Sequence, residues 1–172
     1  MNIPGLTYED NVLTIQQEQQ IVNYIDQQPW NTSLKRRTQH YSYEYVYTSR
    51  TAAKPTTPLG GPIKQIGDWL NTEGIIPLMP AQCIVNEYLK TQGISKHTDA
   101  KSFGPTIVSI SLLQPCTMTF TKGSDVVDLC LQPRSMLVLS GEARYVWKHE
   151  IKPINHVSDD YRRLSLTFRT IK

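Results

Sequence analysis

The amino-acid sequence predicts a mainly β fold with flanking helices, a double-stranded β-helix or jelly roll. Three observations carry that expectation. Short runs rich in β-branched and aromatic residues follow one another after residue 80, parted by turn signals at intervals of roughly 8 to 12 residues. Two segments of helical periodicity precede them. There are no internal repeats to stack, so two helices and about seven or eight strands bury their apolar faces best as two facing sheets backed by the helices.

In chain order, residues 14–29 (TIQQEQQIVNYIDQQP) place Ile15, Val22 and Ile25 at roughly helical spacing. Thr14 is the expected N-cap, Glu18 falls near the first turn, and Pro29 ends the helix. Residues 40–48 alternate aromatic and polar groups and read as a strand or hairpin. The stretch 51–62 (TAAKPTTPLGGP) holds three prolines and two glycines, so an irregular loop is expected there, a lid or a substrate-facing segment. Residues 63–74 put Ile63, Ile66, Trp69 and Leu70 on one helical face, closed by Gly74. Strands are expected at 81–89, 106–113, 116–121, 126–131, 135–140, 145–151 and 163–170.

The 172 residues suit one domain, 1–172, with a helical and substrate-recognition part over 1–80 and a jelly-roll core over 81–172. A composition of 39% hydrophobic and 19% charged residues is that of an ordinary globular protein. No apolar run approaches the roughly 18 to 20 residues of a membrane span, so no membrane partner is expected. The N-terminus has no basic start followed by an apolar stretch, so no secretory signal is expected. Cys83, Cys116 and Cys130 are odd in number, widely spaced and in apolar settings. They read as buried free thiols in a reducing compartment, cytoplasm or nucleus. A monomer is expected.

The net charge is only +3, but it is unevenly spread. Residues 34–50 (LKRRTQHYSYEYVYTSR) set Lys35, Arg36, Arg37 and Arg50 against the single acid Glu44, interleaved with four tyrosines. Such a segment can contact phosphates and stack bases. An alternating ribbon whose tyrosines pack on the core would look the same, and one strand face can do each.

The chemistry-bearing residues are far apart in sequence. His97 and Asp99 stand two residues apart in GISKHTDAKSF, and His149 lies downstream in the β-rich stretch RYVWKH. Two imidazoles and one carboxylate on one face of a metal leave three positions open, which suits non-haem Fe(II); zinc accepts the same ligands. The C-terminal run adds a discriminating pattern. Arg163, Ser165, Thr167 and Arg169 fall on one strand face, and Leu164, Leu166 and Phe168 on the other. Two arginines directed into one interior are costly to bury without anions. A small dicarboxylic acid that also chelates iron, as 2-oxoglutarate does, satisfies both, because a guanidinium pairs bidentately with a carboxylate.

With NEY at 86–88, GISKHTDA at 93–100, LSGEARYVWKHEI at 139–151 and RLSLTFR at 163–169, the chain resembles the AlkB-like Fe(II)/2-oxoglutarate dioxygenases, over about residues 5 to 170. The resemblance implies that His97, Asp99 and His149 bind Fe(II) and that Asn86 and Tyr88 hydrogen-bond 2-oxoglutarate. It pairs Arg163 with the distal carboxylate, places Arg169 near the chelating end, and puts Thr167 between them. Ser165 stands where the family usually has Asn. Fe(II), 2-oxoglutarate and dioxygen are the implied cofactors, and oxidation of a substrate C–H bond is the implied reaction. A hydroxylated N-methyl group breaks down to formaldehyde, giving demethylation, whereas a hydroxylated carbon elsewhere persists.

The same resemblance makes nucleic acid the expected partner, RNA ahead of DNA, single-stranded or with a flipped base. A protein substrate is the alternative. Residues 36–47 resemble the family's nucleotide-recognition segment, an α/β portion at the N-terminus, which makes Arg36, Arg37, Tyr43 and Tyr45 candidate contacts. Repair demethylases often carry an acidic residue four places after the first metal histidine. Lys101 stands there instead, a cation that cannot accept a hydrogen bond from a base amino group. The tyrosine-rich stretch and SGEARYVWKHEI are nearest to the AlkB-like type that hydroxylates a modified wobble uridine of tRNA.

Overall fold

The computed structural model describes residues 2–46, 49 and 51–172, of which 44–46 and 51–55 through their backbone alone. The elements are β1 (Leu6–Glu9), α1 (Ile15–Asp26), β2 (Thr38–Tyr41), β3 (Tyr43–Val46), β4 (Thr51–Pro55), α2 (Gly61–Thr72), β5 (Gln82–Leu89), β6 (Ile94–His97), β7 (Phe103–Leu112), β8 (Cys116–Lys122), β9 (Asp125–Leu131), β10 (Met136–Leu139), α3 (Gly141–Tyr145), β11 (Lys148–Ile151) and β12 (Arg162–Ile171).

Both long helices form where periodicity placed them. Thr14 Oγ1 accepts from the Gln17 amide at 3.1 Å while the Gln17 side chain accepts from the Thr14 amide at 2.8 Å, a reciprocal cap on α1. Glu18, Ile21 and Ile25 are buried on α1; of the three apolar residues expected on its inner face, Ile25 is buried, Val22 is half-buried and Ile15 is 61% exposed in the first turn. Ile63, Ile66 and Leu70 are buried on α2, whose first turn holds Pro62, where a missing N–H costs nothing.

The strands make the expected jelly roll. A six-stranded antiparallel sheet in the order β1-β10-β7-β12-β5-β2 is accompanied by a four-stranded one in the order β6-β11-β8-β9. β12 is central to the larger sheet, paired with β5 on one side and β7 on the other. Its two faces part as their alternation requires. Leu164, Leu166 and Phe168 are fully buried against Ile25, Ile63 and Leu70 of the helices. Each such apolar side chain contributes roughly 1.5–3 kcal/mol relative to exposure. Arg163 and Ser165 turn the other way, toward the smaller sheet, where Tyr88, Ile107 and Leu137 of one sheet pack with Met118, Phe120 and Ile151 of the other. β1 and β2 close the two edges of the larger sheet by pairing with β10 and β5.

Four expectations are corrected. Residues 51–62 are not irregular throughout: 51–55 form β4, paired with β3 as a separate ribbon, and the helix begins at Gly61. Pro55 ends its strand and Pro62 opens its helix, the positions at which proline interrupts no ladder. The run 145–151 is not one strand. A single turn of helix, α3, ends at Tyr145 and β11 starts at Lys148. Cys83 and Cys116 are buried free thiols as expected, but Cys130 is exposed on the edge strand β9. β1 and β6, four residues each, were not expected at all.

Candidate active site

β6 and β11 pair so that His97 lies directly opposite His149. Cross-strand partners share a face, and the two ring centroids stand 4.4 Å apart. Gly93 permits this approach, because a Cβ there would run into the carbonyl of Ile151. Just beyond β6 the chain turns Asp99 back toward the pair. Its Oδ1 lies 3.4 Å from His149 Nε2 and 3.7 Å from His97 Nε2. One ligand atom from each of the three falls within 4.8 Å of the others, so they can hold a single metal ion.

The protonation states suit ligands. His97 Nδ1 lies 2.7 Å from the Ser95 carbonyl, which can only accept, so Nδ1 is the donor there and Nε2 is the ring nitrogen turned toward Asp99. Burial pushes the His149 imidazole down to about 4, leaving it neutral at neutral pH. Its contact with Asp99 is therefore carboxylate to neutral imidazole, not an ion pair. For Asp99, burial alone would raise the carboxyl, but the Arg169 guanidinium and then the two imidazoles outweigh it and hold it far below the usual carboxylate range.

The loop that carries Asp99 has a staple that sequence reasoning missed. Arg144, 2% exposed on α3, donates to the carbonyls of Asp99 at 2.9 Å, Ala100 at 2.9 Å, Gly104 at 3.1 Å and Phe103 at 3.3 Å. It lies within the quoted stretch SGEARYVWKHEI, so its position was visible while its partners, some 40 residues away, were not.

Between the sheets, the triad faces an inner chamber of about 60 Å³ that Asn86, Tyr88, Arg163, Ser165, Thr167 and Arg169 also line. Every residue expected to contact 2-oxoglutarate is therefore brought to one chamber. Arg163 is 1% exposed; its Nη2 donates to Ser111 Oγ at 2.8 Å and its guanidinium carbon lies 5.2 Å from the Tyr88 ring centroid. Arg163 Nε and Nη1 have no hydrogen-bond partner among the described residues. A buried guanidinium with two unanswered nitrogens fits an anion, and a carboxylate fits its geometry. Arg169 is placed differently, with Nε donating to Asp99 Oδ2 at 2.7 Å. Ser111, across from Ser165 on β7, is a second residue the sequence did not single out.

Outside the chamber lies a cleft of about 330 Å³, and Asn86, His97, Asp99 and Arg169 border both spaces. Of the expected substrate contacts, Arg36 lines this cleft. Arg37 points to the opposite face, held by Glu87 at 2.8 and 2.9 Å and stacked 4.4 Å from the Trp30 ring centroid, so its guanidinium is taken up in the fold. Tyr43 is half-buried, with its carbonyl accepting from Gln82 Nε2 at 2.9 Å. Lys101 is exposed next to Ala100, which lines the cleft. The side chain of Tyr45 lies outside the described residues, as do residues 47, 48 and 50.

Comparison with known proteins agrees with this geometry. The model of the 2OG-Fe(II) oxygenase superfamily matches residues 5–169. An "Alkylated DNA repair protein ALKBH8 homolog" of Arabidopsis thaliana is 35% identical over 100% of this chain and 60% of its own length. A "tRNA (carboxymethyluridine(34)-5-O)-methyltransferase ALKBH8" of Mus musculus is 34% identical over 87% of this chain and 24% of its own length. The chain thus spans between a quarter and three fifths of these two relatives. A solved structure of OsALKBH1 superposes with a TM-score of 0.77 at 17% identity, covering 99% of this chain and 98% of that one, a likeness of fold. With the family matched over nearly its whole length, the chain belongs to the 2OG-Fe(II) oxygenase superfamily, as an AlkB-like member, and the chemistry of that family calls for Fe(II), 2-oxoglutarate and dioxygen.

Proposed function

We propose that the chain is an Fe(II)- and 2-oxoglutarate-dependent dioxygenase that oxidises an alkylated or modified base of a nucleic acid, by demethylation or stable hydroxylation, with RNA favoured over DNA. The observation that carries the reading is Arg163, a buried guanidinium with two unanswered nitrogens in the chamber that the His97, Asp99 and His149 side chains border. In this reading the three hold the metal and Arg163, with Ser111 and Tyr88 beside it, binds the distal carboxylate. Asn86 donates to the co-substrate, with Ser165 and Thr167 lining its path. Arg169 fixes Asp99. Apolar chamber walls such as Ile107, Leu137 and Ile151 keep water from the reacting centre. The bound metal and co-substrate supply the oxidation itself.

For the substrate, support comes from the cleft beside the triad, from Arg36 in its wall, and from the relatives, whose names speak of alkylated DNA and of tRNA carboxymethyluridine. A base must leave its stack to present an atom to a metal at the foot of such a cleft, so a single strand or a flipped base is the form expected to bind. Residues 1–172 act together as one domain in this reading, with the basic, tyrosine-rich segment as the nucleotide-recognition portion.

The test is mass spectrometry of methylated oligonucleotides and of tRNA after incubation with the protein, Fe(II), 2-oxoglutarate and ascorbate. Succinate formed together with an oxidised or demethylated base is the expected result. Succinate formation stimulated by a protein extract, with every nucleic acid unchanged, would overturn the nucleic-acid assignment in favour of a protein substrate.

A further inference from the structure

Arg36 was expected only as a substrate contact, but its own contacts run toward the chamber. Its Nε donates to Asn86 Oδ1 at 2.8 Å, its Nη1 donates to the Gly93 carbonyl at 3.1 Å, and its guanidinium carbon lies 5.7 Å from the Tyr88 ring centroid. Arg36 borders the outer cleft and not the inner chamber, whereas Asn86 borders both. The guanidinium thus sits on the cleft side of two residues whose other side faces the chamber.

A guanidinium offers donors and no acceptor, so its bond to a primary amide must end on oxygen. That selects one of the two orientations of the Asn86 amide, which are otherwise nearly equal in shape. With Oδ1 turned to Arg36, the Nδ2 end lies opposite and donates to no described residue. An anionic oxo acid in the chamber needs that donor; a flipped amide would present oxygen to oxygen and repel it. The second bond, to Gly93, keeps the guanidinium in place, because Gly93 is itself wedged against the carbonyl of Ile151.

We propose that Arg36 is a positioning residue for the co-substrate, locking the Asn86 amide so that Nδ2 donates into the chamber. The affinity for the oxo acid is then set partly from the cleft side, by a residue that does not touch it. The inference rests on the chamber being the 2-oxoglutarate site.

Calorimetric titration of 2-oxoglutarate into the Mn(II)-loaded protein tests it without turnover, using wild type, Arg36→Met, Asn86→Ala, the double variant and Arg36→Lys. Arg36→Met is expected to raise the Kd about tenfold, the loss of one hydrogen bond's help to a charged ligand. Asn86→Ala should do the same, and the double variant should be no worse than either single one, because both remove one interaction. Arg36→Lys keeps a charge and a donor and should retain most of the affinity, which also covers the case in which Arg36→Met does not fold. An unchanged Kd in Arg36→Met, or losses that add in the double variant, overturns the role of Arg36 and leaves the chamber assignment standing. Failure of the wild type to bind 2-oxoglutarate overturns both.

Discussion

Arg169 donates from Nε to Asp99 Oδ2 at 2.7 Å, leaving Oδ1 of the same carboxylate to the two histidines. One oxygen is tied to the central strand of the larger sheet and the other is free for a metal. This division makes Asp99 the hinge between the two sheets and orients it before any ion arrives.

Asp99→Ala should therefore remove both metal binding and turnover. Succinate formation is expected to fall below about one-hundredth of the wild-type rate, with Mn(II) affinity falling in parallel. The far-UV circular dichroism should be unchanged, since the sheets do not depend on this carboxylate. Full activity in a His97→Ala/Asp99→Ala double variant would end the metal assignment.

Arg163 carries the opposite balance in the co-substrate-free protein. Its unpartnered nitrogens cost stability while the chamber awaits an anion. Arg163→Met is expected to melt no lower than wild type, yet to raise the 2-oxoglutarate concentration needed for half-maximal turnover at least about tenfold. A melting point that drops while that concentration stays the same would show that Arg163 is a structural residue with no co-substrate to bind.

Arg144→Met leaves the carbonyls of Asp99, Ala100, Phe103 and Gly104 without the donor they share. The expected cost is about 2–4 kcal/mol in urea unfolding, since buried acceptors lose their partners. Metal affinity should weaken about 10- to 100-fold as the loop loses its fixed position. Metal titration of the folded variant checks the second effect separately from the first.

Acid should loosen the opposite face of the sheet. Glu87 is 2% exposed, and burial would raise its carboxyl, but hydrogen bonds from Arg37 and Arg162 hold it below the usual range. A folded value lower than the unfolded one, about 4.3, gives stability that is present above the unfolded value and lost as pH falls through the folded one. The Glu87 contribution to the melting temperature should thus be independent of pH near neutrality and decline below about pH 4. Glu87→Gln should lower stability by about 1–3 kcal/mol at pH 7 and flatten the acid limb, which melting curves from pH 2 to 7 would show.

How much of this was legible in the sequence follows from the range of each signal. The alternation of Arg163, Ser165, Thr167 and Arg169 with Leu164, Leu166 and Phe168 is a local, period-two pattern, and it sorted the two faces of β12 correctly. The helices likewise announce themselves by period and cap. β6 has no such pattern in Ile94–His97; it is a strand because β11 pairs with it, so its existence depends on residues 52 positions away. The Arg36/Arg37 pair shows the same limit. Two adjacent arginines look equivalent in sequence, yet the irregular segment that leads into β2 sends one to the cleft and the other to Glu87.

The sequence by itself determined which chemistry the chain carries: two imidazoles, a carboxylate, and an arginine-bearing strand, in an order and spacing that named the family. Only the tertiary structure decided what each of those groups is paired with. It set Arg169 on Asp99, left Arg163 open to an anion, and put Arg144 beneath the metal loop and Arg36 behind Asn86. The physical reason is that residue type and period are properties of neighbours in the chain. Hydrogen-bond partners and burial, by contrast, are fixed by segments that meet from 40 to 70 residues apart.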